Sequence, residues 1–353
     1  MGAKAQDGGG PDAGRLGALP TATGGLARFA YAHAQASGVA LTPLLAEAGL
    51  TEQQIENRGA RLSVGHQIKF LNLVADAVAD ADFGFHLALV PDLRELGLLY
   101  YIAASSANLR DALWRTARYC GVVNEGLALS CRAGQTIEIA FDYAGVPRRL
   151  DRHQMEICVT LVMRLCRQLT GRRLPASRVT FAHHRSNAGA EMAAFFGCDV
   201  VFGASADCLV LAADAGDIPV VSADPYLNRL LLANCEEALV RRPTHQGSLR
   251  TAVENAIVPL LPHGKVRAGD IAGKLGLGVR TFARRLAAEG LTFSEVLERL
   301  RGDLGRQYLA DPGLSISQVA WLLGYQEVSA FTHAFKRWTG QTPREARAAR
   351  PSP

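Results

Sequence analysis

Two stretches near the end of the chain repeat one pattern of apolar and polar positions. In each copy, apolar residues at i, i+1 and i+4 precede a glycine, and two more apolar residues follow at a spacing of four. This pattern predicts a short helix ended by glycine, a tight turn, and a second helix on the same core. The residues of the first copy are Ile271, Ala272, Leu275, Gly276, Phe282 and Leu286, and those of the second are Val319, Ala320, Leu323, Gly324, Phe331 and Phe335.

The outward positions of both second helices carry basic or hydrogen-bonding side chains. Such a helix-turn-helix can place its second helix in the major groove of DNA. An ordinary four-helix region with solvated basic faces is the alternative, but two copies with matched cores and matched basic faces favour the helix-turn-helix pair. The outward residues are Arg280, Arg284 and Arg285 in the first copy, and Ser329, Thr332, His333, Lys336 and Arg337 in the second.

The positive charge of the chain is concentrated in its last third. The net charge is +5, yet residues 247–353 contain 15 Lys plus Arg and 9 Asp plus Glu, a net of +6, so the preceding residues carry a net of −1. A basic excess on one segment attracts a polyanion. The partner predicted for this segment is double-stranded DNA.

The first two thirds alternate between helical and strand periods. Residues 1–25 are rich in Gly and Ala and predict a disordered leader. Helical patterns begin at Leu26, and residues 82–123 predict two helical parts. A period of two over residues 127–143 predicts a hairpin with Ile137, Ile139 and Phe141 on one face. Residues 26–240 therefore predict an α+β domain.

Further elements connect this domain to the repeat. Strand-like segments at 178–185 and 199–216 precede a helix at 225–239, whose predicted core stripe is Leu227, Leu230, Leu231 and Ala238. Polar residues 241–248 predict a linker. Residues 291–309 predict a helix that joins the two repeat units rigidly, with Leu297, Leu300, Leu304 and Tyr308 towards the core.

The sequence offers no catalytic constellation and no evident metal or cofactor site. His153 and Glu156 would share a helix face, but no third ligand accompanies them. Seven irregularly spaced cysteines indicate reduced, mostly buried thiols. No run of 18 apolar residues occurs, and no apolar segment follows the early lysine, so we expect neither a membrane span nor a secretory signal. We expect a cytoplasmic protein that is not an enzyme, requires no cofactor and is associated with the nucleoid through DNA.

The C-terminal hundred residues resemble the DNA-binding domain of AraC/XylS-type bacterial transcription regulators. The resemblance is carried by RTFARRLAAEGLTFSEVLERLR and by ISQVAWLLGYQEVSAFTHAFKRWTGQTPREAR. Upstream, segments such as FFGCDVVFGASADCLVL resemble the sensing domain of the ornithine- and arginine-responsive branch. The resemblance implies an all-α DNA-binding domain at 249–348, with helix-turn-helix units at about 268–289 and 316–339. It also implies a homodimeric activator that responds to a small-molecule effector and acts with RNA polymerase at a promoter or operator.

The resemblance also assigns base-reading positions. They fall at Arg280, Ala283 and Arg284 in the first unit, and at Ser329, Ala330 and His333 in the second. Three residues depart from the family pattern: Ala283 stands where Gln is common, His333 replaces Arg, and Gly278 stands where Ser often caps the helix. The candidate DNA-binding residues are Arg280, Thr281, Ala283, Arg284, Arg285, Ser329, Ala330, Thr332, His333, Lys336 and Arg337.

Two other functions are compatible with parts of the sequence. The N-terminal domain could serve only for dimerisation, without a ligand. Alternatively, the chain could be a DNA-repair enzyme fused to this DNA-binding domain, with methyl-accepting cysteines. That chemistry requires a zinc-bound cysteine cluster or a Pro-Cys-His-Arg site, and no cysteine here is followed by histidine.

Overall fold

The computed structural model describes residues 20–143, 146, 148–185, 190–240, 249–264, 266–310 and 313–348. Buried apolar side chains form two large clusters. One contains residues between Ala22 and Val220, and the other contains residues between Val253 and Phe335. The α+β and all-α parts of the chain therefore have separate cores. The predicted linker, 241–248, lies outside the described residues.

A five-stranded sheet forms one side of the N-terminal core. Its strand order is β3-β4-β7-β5-β6, antiparallel except between β5 and β6. The predicted hairpin is confirmed as β3 and β4, with Ile137, Ile139 and Phe141 buried on one face. The strands of the protein are β1 (Thr21–Ala22), β2 (Leu62–Ser63), β3 (Leu127–Ala133), β4 (Thr136–Tyr143), β5 (Arg178–Phe181), β6 (Val200–Phe202) and β7 (Asp207–Ala212).

Helices cover the N-terminal sheet and fill the rest of its domain. The longest, α8, is buried along most of its length. These helices are α1 (Gly25–Ala36), α2 (Leu41–Ala48), α3 (Glu52–Glu56), α4 (Val64–Ala77), α5 (Phe83–Leu89), α6 (Leu98–Ala104), α7 (Leu109–Val123), α8 (Arg152–Thr170), α9 (Ala190–Phe196) and α10 (Pro225–Val240). Shorter 3-10 turns lie at Leu93–Leu96, Arg148–Leu150 and Ala213–Asp217.

The structure corrects three details of the sequence prediction. Within the predicted leader, residues 1–19 lie outside the described residues, but β1 pairs with β2, because extended Thr21 and Ala22 find a partner strand forty residues away. The segment 82–123 forms three α-helices and a 3-10 turn rather than two helical parts, because Gly97 has φ +63° and breaks the helical path.

The third correction concerns the core face of α10. Leu227 and Leu230 are exposed, whereas Asn228 and Cys235 are buried. The Asn228 side chain donates to the backbone carbonyl of Ile102, which satisfies its amide in the interior. This polar contact rotates the predicted apolar stripe partly towards solvent.

The C-terminal domain consists of helices arranged about one long helix, α14. Its elements are α11 (Leu249–Ile257), a 3-10 turn at Val258–His263, α12 (Ala268–Lys274), α13 (Val279–Ala288), α14 (Phe293–Leu309), α15 (Ile316–Leu322), α16 (Val328–Thr339) and α17 (Pro343–Ala348).

Helix α14 packs against elements of both repeat units. Its Phe293 ring lies 6.0 Å from the ring of Phe282 in the first unit. On the other side, a Cβ atom at Gly305 would lie only 3.2 Å from the ring of Phe335 in the second unit. The lack of a side chain at Gly305 thus lets α14 and α16 approach closely. A helix fixed to both units in this way holds their relative orientation.

The two domains also meet directly. The Asn255 side chain, on α11, accepts a hydrogen bond from the backbone amide of Arg148 at 2.9 Å and donates to the carbonyl of Val146 at 2.9 Å. The rings of His184 and Tyr308 meet edge to face with centroids 5.8 Å apart. These contacts border a cleft of about 800 Å³ between the sheet and the C-terminal helices.

Candidate nucleic-acid interface

Helices α12 and α13, and then α15 and α16, form the two predicted helix-turn-helix units. Their turns contain Gly276 with φ +66° and Gly324 with φ +80°, conformations that favour glycine. The matched apolar residues of α13 and α16 are buried, as the repeat predicts. These residues are Phe282 and Leu286 in α13, and Phe331 and Phe335 in α16.

The face of α13 opposite this core is exposed and cationic. Arg280, Ala283, Arg284 and Arg285 are exposed, and Thr281 is half-buried. Within the described part of the chain, none of the three arginines forms an ion pair. Three guanidinium groups are therefore available to an external anion without first breaking an internal contact.

The exposed face of α16 is more mixed. Ser329, Ala330, His333 and Lys336 are exposed, and Thr332 is half-buried with its hydroxyl donating to the Val328 carbonyl at 2.9 Å. The remaining candidate on this helix, Arg337, is paired as described next. The first unit thus presents more free guanidinium groups than the second.

One candidate on α16 already has an acidic partner. Arg337 donates to Glu298 of α14 at 2.9 Å, and both side chains are largely exposed. An exposed pair of this kind contributes about 0–1 kcal/mol, so a phosphate can replace Glu298 at small cost. Sequence reasoning missed this pair because its members are 39 residues apart.

The N-termini of the second helices, α13 and α16, differ from those of α14 and α15. Helices α14 and α15 begin with capping boxes, Thr292 with Glu295 and Ser315 with Gln318, that satisfy their first backbone amides. In contrast, Gly278 and Glu327 precede α13 and α16 without a side-chain cap. The first amides of α13 and α16 therefore remain available to phosphate oxygens, which helix N-termini bind well.

His153 and Glu156, the helical pair for which the sequence offers no third metal ligand, have protein partners in the structure. Glu156 is fully buried and accepts hydrogen bonds from His183 at 3.0 Å and Arg185 at 3.1 Å. Burial by itself would raise the pKa of Glu156, but the hydrogen bond and charge of His183 lower it to about 2. Burial lowers the pKa of His153 to about 4, so this imidazole is neutral near pH 7. Glu156 therefore belongs to a buried ion-pair network.

The cysteines are free thiols within the described residues, and most are buried. Burial raises the pKa of Cys158 and Cys166 to about 12 and that of Cys131 to about 11. Since the thiolate is the nucleophilic form, these side chains are poor methyl acceptors.

Two cavities have the size or chemistry to receive a small molecule, one between the domains and one inside the N-terminal domain. The interdomain cleft combines an apolar wall with polar groups, among them Arg148, His183, His184, Asn255 and Gln307. A smaller cavity of about 90 Å³ lies inside the domain. It is lined mainly by apolar side chains, including Leu26, Phe29, Phe141 and Leu161.

Comparison with known proteins agrees with this two-domain arrangement. Residues 38–220 match the family described as the arabinose-binding N-terminal domain of AraC transcription regulators, and residues 271–349 match a helix-turn-helix domain family. The chain is 32% identical over 294 residues to the HTH-type transcriptional regulator VirS of Mycobacterium tuberculosis, covering 82% of this chain and 85% of VirS. This protein belongs to the AraC family of transcription regulators.

Other AraC-type relatives extend the comparison. The ornithine utilization regulator of Pseudomonas aeruginosa is 26% identical over 331 residues, which cover 88% of this chain and 92% of that protein. The crystal structure of the regulator CdpR from the same organism covers 88% of this chain at 22% identity with a TM-score of 0.39, so the family assignment rests on the sequence matches. This AraC-family member is accordingly a DNA-binding transcription regulator with an N-terminal ligand-binding domain. No helix of the described residues is long and apolar enough to cross a membrane.

Proposed function

We propose that this AraC-family regulator reads an operator with α13 and α16 in successive major grooves, about 34 Å apart. The observation that carries this proposal is the pair of equivalent helices whose polar faces are exposed, whose first amides are uncapped, and which are fixed to one helix, α14. In the first unit, Arg280 and Arg284 contact base edges, with Ala283 near a thymine methyl group. In the second, Ser329, Ala330 and His333 take the corresponding role.

The remaining candidates hold the DNA backbone. Phosphates are contacted by Arg285, Lys336 and Arg337. Arg337 first leaves its ion pair with Glu298. The threonines Thr281 and Thr332 lie beside the base-reading positions. Because α13 has more free guanidinium groups, we expect the first unit to contribute more of the sequence discrimination. Footprinting that showed stronger base discrimination in the second half-site would reverse this ranking.

Selection of DNA from a random pool by the purified full-length protein tests operator binding. The expected product contains two half-sites separated by about 10 base pairs, since one helical turn separates successive major grooves on one face. Mapping of bound DNA in cells should recover the same motif near promoters. A pool that shows no enrichment over many rounds would contradict sequence-specific binding by this chain.

The N-terminal domain is proposed to bind a small-molecule effector and to form the homodimer. Leu227 and Leu230 of α10, exposed beside Tyr226, give this domain an apolar helix edge that supports self-association. Sedimentation of the full-length protein with a Leu230→Asp variant tests the dimer: wild type should sediment as a dimer and the variant as a monomer. A wild-type protein that sediments as a monomer, like the variant, would contradict the proposed dimer.

Effector binding is tested by thermal shift with amino acids, fatty acids and aromatic acids. A ligand that binds the native state raises the unfolding temperature with its concentration. The absence of any shift would favour the alternative of a ligand-independent dimeric regulator. A DNA-repair activity is not favoured, because the buried thiols of Cys158 and Cys166 remain protonated.

Asn255 offers a route from effector to DNA-binding domain. Its side chain bonds the chain just after β4, and β4 contributes Phe141 to the inner cavity and Tyr143 to the cleft. A ligand in either cavity that moved the end of β4 would alter this interdomain contact. In an Asn255→Ala variant, DNA affinity should lose its dependence on the effector. An Asn234→Ala variant should retain it, because the hydrogen bond that the Asn234 side chain makes within the described part of the chain goes to the Leu230 carbonyl of its own helix. Equal dependence in both variants would exclude this route.

The proposal places the protein in the cytoplasm, bound to the nucleoid, where it activates transcription through contact with RNA polymerase. A promoter–reporter measurement with and without the gene tests the sign of regulation. Expression that rises when the gene is deleted would indicate repression instead.

A further inference from the structure

The first residue of each second helix is an exposed valine. Val279 begins α13 and is 58% exposed, and Val328 begins α16 and is 39% exposed. The two residues are 49 positions apart, the same offset that relates Phe282 to Phe331. They are therefore equivalent positions of the repeat, although neither was among the candidates from sequence.

These valines are unusual for the domain that contains them. Among the described residues after 248, the large apolar side chains that are exposed are Val279, Trp321 and Val328. Two of these three occupy the same place in the two units. Valine at this position does not stabilise the protein in the absence of DNA, because it is a weaker helix former than alanine and its exposed methyl groups remain in water.

Both valines stand at the N-terminal end of a second helix, where side chains lie near base edges in the major groove. The N-terminal residues of a recognition helix contact bases in the major groove. Val279 directly precedes Arg280, and Val328 directly precedes Ser329, which are proposed base-reading residues. In the major groove the C5-methyl group of thymine is the apolar feature that distinguishes one base from the others.

We propose that Val279 and Val328 each pack against a thymine C5-methyl group, one in each half-site. This inference rests on the proposed placement of α13 and α16 in the major groove and adds a sequence requirement that their polar residues do not supply. It predicts a thymine at an equivalent place in both half-sites. Removal of water from one methyl group strengthens binding about 4-fold.

The test uses the full-length protein and deoxyuridine, which is thymidine without the C5-methyl group. Each thymine of the selected operator is replaced singly by deoxyuridine, and the Kd is measured by fluorescence anisotropy for wild type, Val279→Ala and Val328→Ala. Wild type should lose affinity about 4-fold at one thymine in each half-site through its valine, whereas the penalty at the thymine beside Ala283 should persist in both valine variants. Val279→Ala should become insensitive at one of these two positions only, and Val328→Ala at the other only.

Matched controls separate this contact from general damage. Val90 is 74% exposed in the N-terminal domain, so Val90→Ala should keep the wild-type response at every thymine. The unfolding temperatures of all three variants should remain close to that of wild type, because the substituted side chains are exposed.

The outcomes distinguish this inference from the proposed function. A selected operator whose thymines all tolerate deoxyuridine would overturn the valine contacts and the Ala283 contact, and would leave base reading by the polar residues intact. Equal deoxyuridine penalties in wild type and both valine variants would overturn the valine contacts as well. A protein that selects no operator at all would remove the proposed DNA reading together with the valine contact.

Discussion

The equivalent turn glycines of the two units should respond unequally to the same substitution. Gly276 and Gly324 both have positive φ, so alanine at either position costs about 1–2 kcal/mol in backbone strain. Around Gly276, a Cβ atom would meet no atom within 4 Å. At Gly324, the Cβ atom would lie 2.4 Å from the backbone oxygen of Leu261, whereas real Cβ contacts essentially never fall below 3.0 Å.

The difference can be expressed as a free energy of unfolding. Leu261 is buried, and its oxygen accepts a hydrogen bond from Gly264 at 3.0 Å, so the backbone at Leu261 cannot move freely. Overpacking of a well-packed site costs about 1–3 kcal/mol. We therefore expect Gly276→Ala to cost about 1–2 kcal/mol and Gly324→Ala about 2–5 kcal/mol.

Urea unfolding followed by tryptophan fluorescence measures this difference. A Trp114→Phe background leaves Trp321 and Trp338, both in the C-terminal domain, as reporters. The midpoint should fall in both variants, and further in Gly324→Ala, with an unchanged slope. Equal losses would show that the contact with Leu261 relaxes without cost, and a larger loss in Gly276→Ala would refute the reasoning.

Three further predictions concern DNA contacts and pH. Arg284→Ala should weaken the selected operator about 5- to 150-fold and leave scrambled DNA unaffected; an unchanged ratio would exclude base reading. Lys336→Ala should weaken the affinity for all DNA sequences alike and lower the slope of log affinity against log salt concentration by about 1. As a control, substitution of the exposed Arg178 by alanine should change neither quantity. A loss of affinity for one sequence alone would contradict a phosphate role for Lys336. Burial lowers the pKa of His153 to about 4 in the folded protein. As the pH falls, the unfolded chain therefore binds a proton at this residue near pH 6.5, before the folded protein does. His153 should therefore lower the free energy of unfolding by on the order of 2 kcal/mol between pH 7 and pH 5. The His153→Gln variant should lose that much less than wild type over this range, and an equal loss in both would show that His153 makes no such contribution.

Local patterns in the sequence were enough to predict the helices of the repeat and the β3–β4 hairpin. A period of 3.6 or 2 depends only on which positions face one neighbouring core, so Phe282 and Ile139 reveal their orientation without knowledge of that neighbour. The basic residues of α13 could be assigned for the same reason, since their exposure follows from the burial of the opposite face. The family resemblance added which of these residues face DNA bases.

Contacts between distant segments required the tertiary structure. Nothing near Arg337 in the sequence indicates Glu298, and nothing near Glu156 indicates His183 or Arg185. The exposure of Leu227 and Leu230 likewise depends on the interior partner that Asn228 finds at Ile102.

The two turn glycines illustrate most clearly which features the sequence determined and which required the tertiary structure. The sequence by itself determined that Gly276 and Gly324 end equivalent helices, because a left-handed residue after a helix is a local requirement. Only the tertiary structure decided that Gly324 also lies against Leu261 while Gly276 faces open space. The physical reason is that backbone conformation is governed by neighbours along the chain, whereas steric room is governed by whichever segment folds against it.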